Sequence, residues 1–122
     1  MIATSKRGSG DKCFLSSNKF HRVVDLGAPS TATIDFNRGS VFKCDTPSSG
    51  GLTVATANLS EGQQAALHVD EVNSANKTLT FPAAWVWITA KPSQINSGLK
   101  GVLAIECFDS TNVIAAWKAK VQ

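Results

Sequence analysis

The sequence predicts an all-β fold, an antiparallel jelly-roll-like β-sandwich of about eight strands with an extended N-terminal arm. Three observations support that expectation. Apolar and polar residues alternate with a period of two in eight short segments; the segments recur at spacings near ten residues; and each is closed by Gly, Pro, Asn, Asp or Ser. Successive side chains of a strand point to opposite faces, so this rhythm marks strands with one face on a core. No strand–helix–strand alternation and no internal repeat is visible.

Residues 1–20 form the extended basic arm. SKRGSGDK is rich in glycine, serine and charge, with neither helical nor strand periodicity. Such a segment is ordered only when something holds it, and a neighbouring subunit is the natural holder. A single domain then covers 21–122. HRVVDL is closed by Gly27-Ala28-Pro29-Ser30, and TATIDF places Ala32, Ile34 and Phe36 on one face with Thr33 and Asp35 on the other. Asn37-Arg38-Gly39 turns into SVFKCD, where Phe42 and Cys44 alternate with Lys43 and Asp45. The loop Thr46 to Gly51 leads to LTVATANL, with Leu52 and Val54 in phase.

After Glu61-Gly62, the segment QQAALHVDEV alternates Ala65, Leu67 and Val69 with Gln64, Ala66, His68 and Asp70. Asn73 to Asn76 turns into KTLTF, whose Leu79 and Phe81 share a face. GVLAIECF alternates Leu103, Ile105 and Cys107, and Asp109 to Asn112 turns the chain into VIAAWKAKV. The alanines of that last segment could be read as helical, but Val113, Ala115, Trp117 and Ala119 repeat every second residue, which favours a strand.

A chain of 122 residues suits one domain with little margin of stability, so an oligomer would help it. The net charge of +3 is unevenly placed. Residues 1–22 hold Lys6, Arg7, Lys12, Lys19 and Arg22 against Asp11, giving +5 − 1 = +4 and leaving the remainder at −1. That is a near-neutral body with a basic leader, suited to an acidic protein partner rather than to nucleic acid. Cys13, Cys44 and Cys107 show no CxxC or CxxH spacing, which points to reduced, small apolar cysteines; a Cys13–Cys44 bridge is the alternative. After Met1 there is no apolar signal-peptide run, and no stretch approaches the roughly 18 residues of a membrane helix.

The stretch TLTFPAAWVW sets Trp85 and Trp87 on one face and Val86 and Ile88 on the other, so both faces are apolar. Either the tryptophans fill the core, or one face meets a neighbouring subunit, where aromatic side chains are enriched.

TIDFNRGSVFKCDT, LTVATANLSEGQQAALHVDE, KTLTFPAAWVWITAKPSQI and KGVLAIECFDSTNVIAAW together resemble a β domain common in tailed-phage virion proteins. The likeness runs through Asp35-Phe36, Gly39 to Phe42, Gly62-Gln63, Thr78 to Pro82, Trp87 with Pro92, and Val102 to Trp117, covering residues 31–118. It implies a structural or adhesive protein, as in tail fibres, spikes and small head proteins, usually trimeric. The chain lacks a fibre shaft and a head-binding region, and has Ile88-Thr89-Ala90 where the family often places Gly-Gly.

Catalytic constellations are missing from the sequence. His21 and His68 are far apart, and His68 belongs on an outward strand face. There is no GxSxG elbow, and Asp70 and Glu71 point to opposite faces, which disqualifies them as a glycosidase pair. Asp109 to Asn112 lacks the carboxylate density of a calcium loop, and neither Gly8-Ser9-Gly10 nor Gly50-Gly51 opens a helix to cradle phosphate.

The expectation is therefore a non-enzymatic virion structural protein, a capsid decoration or cement protein without cofactor or metal. Lys6, Arg7, Lys12, Lys19, Arg22, Trp85, Val86 and Trp87 are the expected capsid and subunit interface. Its partners would be itself, as a homotrimer, and the major capsid protein; neither nucleic acid nor a membrane is expected. It would be assembled in the host cytoplasm and reside on the capsid surface. The rival expectation is a tail-fibre or spike-tip module that recognises a host glycan or protein through the loops Pro47 to Gly51 and Ser93 to Gly98.

Overall fold

A computed structural model describes residues 22–109 and 111–120. Ten strands occur among them, and no helix: β1 Val23–Asp25, β2 Thr31–Asp35, β3 Val41–Asp45, β4 Leu52–Ala57, β5 Gln64–Asp70, β6 Lys77–Thr80, β7 Val86–Trp87, β8 Gln94–Ile95, β9 Lys100–Cys107 and β10 Val113–Lys120. The arm assigned to residues 1–20, with Lys6, Arg7, Lys12, Lys19 and Cys13, lies outside the described residues, and so does His21.

The all-β class holds, with two sheets of order β1-β3-β5-β9-β10-β7 and β2-β4-β6-β8. The antiparallel order of a jelly roll does not. β1, β3 and β5 pair in parallel, β2, β4 and β6 pair in parallel, and β7 runs parallel to β10. Antiparallel pairing is confined to β5–β9, β9–β10 and β6–β8. Connection length explains this. The links 26–30, 36–40, 46–51, 58–63 and 71–76 are five or six residues long. A crossover between parallel neighbours in one sheet needs a dozen or more. Each short link instead crosses to the other sheet, and the chain winds as a coil of β-solenoid type through β6, with β3, β4, β5 and β6 each stacked on the strand two before it.

Register aligns the inward residues. Across the larger sheet, Val24, Phe42, Leu67, Leu103 and Trp117 are successive pairing partners. In the smaller sheet Ala32 pairs with Val54 and Leu52 with Leu79. These residues belong to one core, completed by Phe36, Phe81, Trp85, Ile95 and Ile105. Each fully buried large side chain is worth about 1.5–3 kcal/mol.

One position in the core must stay without a side chain. A Cβ on Gly101 would come within 2.2 Å of the Trp117 ring, which lies over it. Gly101→Ala should therefore lower stability by roughly 1–3 kcal/mol, the range for overpacking a filled core, in urea denaturation. Adding Trp117→Leu should recover part of the loss, because the ring that collides is gone. Equal stability of Gly101→Ala and the parent would contradict this packing.

Candidate interaction face

The outward side of the larger sheet is built from the second phase of the same strands. Its register lines up Val23, Val41, Ala66, Ala104 and Ala116 as successive partners across β1, β3, β5, β9 and β10. Val86 is paired with Ile114 at the β7 edge, and Ile88 follows just beyond. Val23 is 47% exposed, Val86 52% and Ile88 72%. An open depression of about 450 Å³ runs along this row between Gln64, Ala66, Ala104, Ile88 and Ile114. A second, of about 520 Å³, borders Val102, Thr89 and Lys118 and shares Ala104 and Ala116 with the first.

The smaller sheet provides the contrast. Thr31, Thr53 and Thr80 are successive partners on its outer side, and all three are exposed. Threonine suits a half-buried strand while offering its hydroxyl to water. The apolar row on the opposite side is thus not a general habit of this chain.

Charges gather toward one end of the larger face. Asp25, Lys43, His68, Val102 and Lys118 form the next row, followed by Asp45, Asp70 and Lys100. Lys100 Nζ lies 2.6 Å from Asp70 Oδ2, and Lys43 Nζ lies 3.7 Å from Asp25 Oδ2. These exposed pairs are worth roughly 0–1 kcal/mol each.

The loops beyond that end are drawn together by Glu71, which is 2% exposed. Its Oε1 accepts from Thr46 Oγ1 at 3.1 Å and Asn73 N at 2.7 Å, and its Oε2 from Gly98 N at 2.9 Å and Ala75 N at 3.3 Å. Burial, the largest single influence, pushes the carboxyl up, but the bonds from Gly98, Asn73, Thr46 and Ala75 outweigh it and hold it at about 2. Gly98 has φ of +75°, a conformation that costs glycine little, and this turns its N–H toward the carboxylate. Asn73 Nδ2 donates to the Thr46 and Pro47 carbonyls, both at 2.9 Å. The Pro47–Gly51 and Ser93–Gly98 loops are thereby fixed side by side.

The other carboxyls and thiols that shift do so through burial or neighbouring hydrogen bonds. Asp109 is held at about 2, first by the Asn112 side chain and then by the Thr111 amide of its own turn. Asp35 is lowered, first by the Asn58 side chain and then by the Asn37 amide. Cys44 and Cys107 are free and buried, and burial followed by Asp45 and Asp25 pushes the Cys44 thiol up to about 12. Such a thiol stays protonated and is a poor nucleophile. Among the described residues no group of three His, Cys, Asp or Glu side chains could hold a metal ion.

The expected interface residues fall in different places. Arg22 is exposed just ahead of β1. Trp85, 8% exposed, lies in the core and the half-buried Trp87 packs against it; their rings are 6.1 Å apart, with Phe81 against both at 5.9 and 4.9 Å. The reason is unequal sheet size. The β2-β4-β6-β8 sheet has four strands against six, so part of the larger sheet's inner side extends past its edge, and the Phe81, Trp85 and Trp87 rings join the core on that side. Of that motif, Val86 and Ile88 are left outward. The alanine row was not recognised in the sequence. Its signal was that QAALHVD, GVLAIEC and VIAAWKA each place alanine or an aliphatic residue in the outward phase, where a solvated strand carries threonine or charge.

Comparison with models of protein families, with curated proteins and with solved structures found no match to this chain.

Proposed function

We propose that this chain is a non-enzymatic structural component of a phage particle, a decoration or cement protein that bridges capsid subunits. The observation that bears most of the weight is the apolar row Val23–Val41–Ala66–Ala104–Ala116 with Val86 and Ile88, a broad, open apolar surface of the kind that meets protein. The sequence resemblance supplies the virion setting and the expectation of a homotrimer. The basic segment carrying Lys6, Arg7, Lys12, Lys19 and Arg22 would meet acidic surface on the major capsid protein, and the sheet face would meet neighbouring copies. Each basic contact is worth only about 0–1 kcal/mol, so several arms on one assembly act together. Deleting residues 2–20 should leave a folded, self-associated protein that no longer occupies capsids in a sedimentation assay. Unchanged occupancy would remove the cement role.

A second reading rests on the loop end. Glu71 and Asn73 fix the two loops expected for recognition beside one another, exposing Ser48, Ser49, Asn96 and Ser97. Neutral hydroxyls and amides are suited to hydrogen-bonding a glycan. Binding of purified protein to a host-surface glycan, abolished by alanine at Ser49 and Asn96, would establish a fibre-tip role instead.

A further inference from the structure

We infer that the outward face of the six-stranded sheet is the pairing surface for a second copy of this chain, related by a two-fold axis that runs along the strands between β5 and β9. The inference rests on the reading of this face as a protein contact and names its occupant.

The face is laid out symmetrically about that line. Its strand order is β1-β3-β5 on one side and β9-β10-β7 on the other. A two-fold axis along the strands keeps each row at its own level and exchanges the two sides. The apolar row then lands on itself, with Ala66 over the second copy's Ala104, Val41 over Ala116 and Val23 over Ile88. Alanine at the centre lets the sheets approach closely, while the larger side chains at the margins fill the gap opened by the sheets' twist.

Charge on the face is complementary under the same operation. The β1-β3-β5 side carries Asp25, Asp45 and Asp70 against Lys43, giving −3 + 1 = −2. The β9-β10-β7 side carries Lys100 and Lys118 against Glu106, giving +2 − 1 = +1. Exchange places the acidic half on the basic half, and Asp70 over the second copy's Lys100. The intramolecular Lys100–Asp70 pair thereby joins an alternating cluster of four charges. Lys43 meets Lys118 in the same arrangement, a cost reduced by the Asp25 carboxylate already beside Lys43. A two-fold axis running across the strands would instead set like halves on like.

The extent is adequate. Six strands spaced about 4.8 Å apart, with four outward rows about 6.7 Å apart, give a face of roughly 24 by 20 Å. Two such faces bury at most about 1,000 Å², the threshold for a biological interface and the size of weak, transient ones. The pairing is therefore reversible, with an affinity sensitive to one central side chain.

Analytical ultracentrifugation of the full chain should show an even number of copies, two, or six where the expected trimer also forms. Ala104→Arg, exposed in the single chain and central in the pair, should weaken the association roughly hundredfold or more without altering the circular dichroism. In a Cys13→Ser background, Ala104→Cys should be joined into a covalent dimer by a short bismaleimide, while Thr53→Cys on the opposite sheet should not. A species that stays single-copy or odd-numbered up to the highest concentration reached, or an Ala104→Arg variant that associates like the parent, overturns the pairing. If such a species still occupies capsids, the virion reading stands without the pairing. A dimer that occupies none keeps the pairing and removes the virion reading.

Discussion

Phe42→Ala should lose roughly 3–5 kcal/mol of stability, the usual cost of emptying a large aromatic site. Phe42 is fully buried at the middle of the ladder that links Val24 to Leu67 and Leu103. Against a total of about 5–15 kcal/mol for a domain, the variant should be partly unfolded at moderate temperature. The neighbouring Val41→Ala, on the outward side, should change the stability of the single chain by no more than about 0.5–1 kcal/mol. Chemical denaturation of both at a concentration below self-association makes the comparison. Equal losses would mean that β3 is displaced by one residue, since a single-residue slip exchanges its two faces.

The second large effect is at acid pH. Glu71 has its carboxyl lowered from an ordinary 4.5 to about 2 in the folded chain. A lowered carboxyl stabilises the fold in full above the unfolded value and loses that contribution as pH falls toward the folded one. The contribution of Glu71 therefore disappears between pH 4.5 and about 2. Glu71→Gln should unfold more readily at neutral pH, because an amide cannot accept from all four donors and turns its own N–H groups toward one side. Its stability should also fall less steeply than the parent's across the acid window. The residual slope belongs to Asp109 and Asp35, which are lowered in the same direction. Thermal melts from pH 7 to 2 decide it, and parallel curves for the two proteins would show that Glu71 is not the group that responds.

Strand positions were legible because alternation is local. Phe42 and Cys44, Leu67 and Val69, and Leu103 and Ile105 face inward as their spacing required. Strand direction was not legible. A five-residue link such as 26–30 closes a hairpin or crosses to a facing sheet equally well, and the alternation within β1 and β2 is the same either way. Trp85 and Trp87 share a face as expected, yet only the unequal width of the two sheets decides that this face is the core. The apolar row needed register as well as phase, because Val41, Ala66, Ala104 and Ala116 are separated by 25, 38 and 12 residues. Likewise nothing local to Glu71 announced Thr46 and Gly98 as its partners.

The winding has a kinetic consequence. Val23 meets Val41, Thr31 meets Thr53, Val41 meets Ala66 and Leu52 meets Leu79, so most adjacent strands are separated in the chain by a whole turn of the coil. Entropy is spent on closing each of these loops before any contact rewards it, which places such a chain among slow folders for its length. Among the described strands, β9 and β10 are the long pair that a tight turn, organised by Asp109, brings together at once. On a ribosome that pair emerges after the eight strands that precede it. Nascent β1 to β5 are therefore made before the hairpin whose β9 covers the open edge of β5.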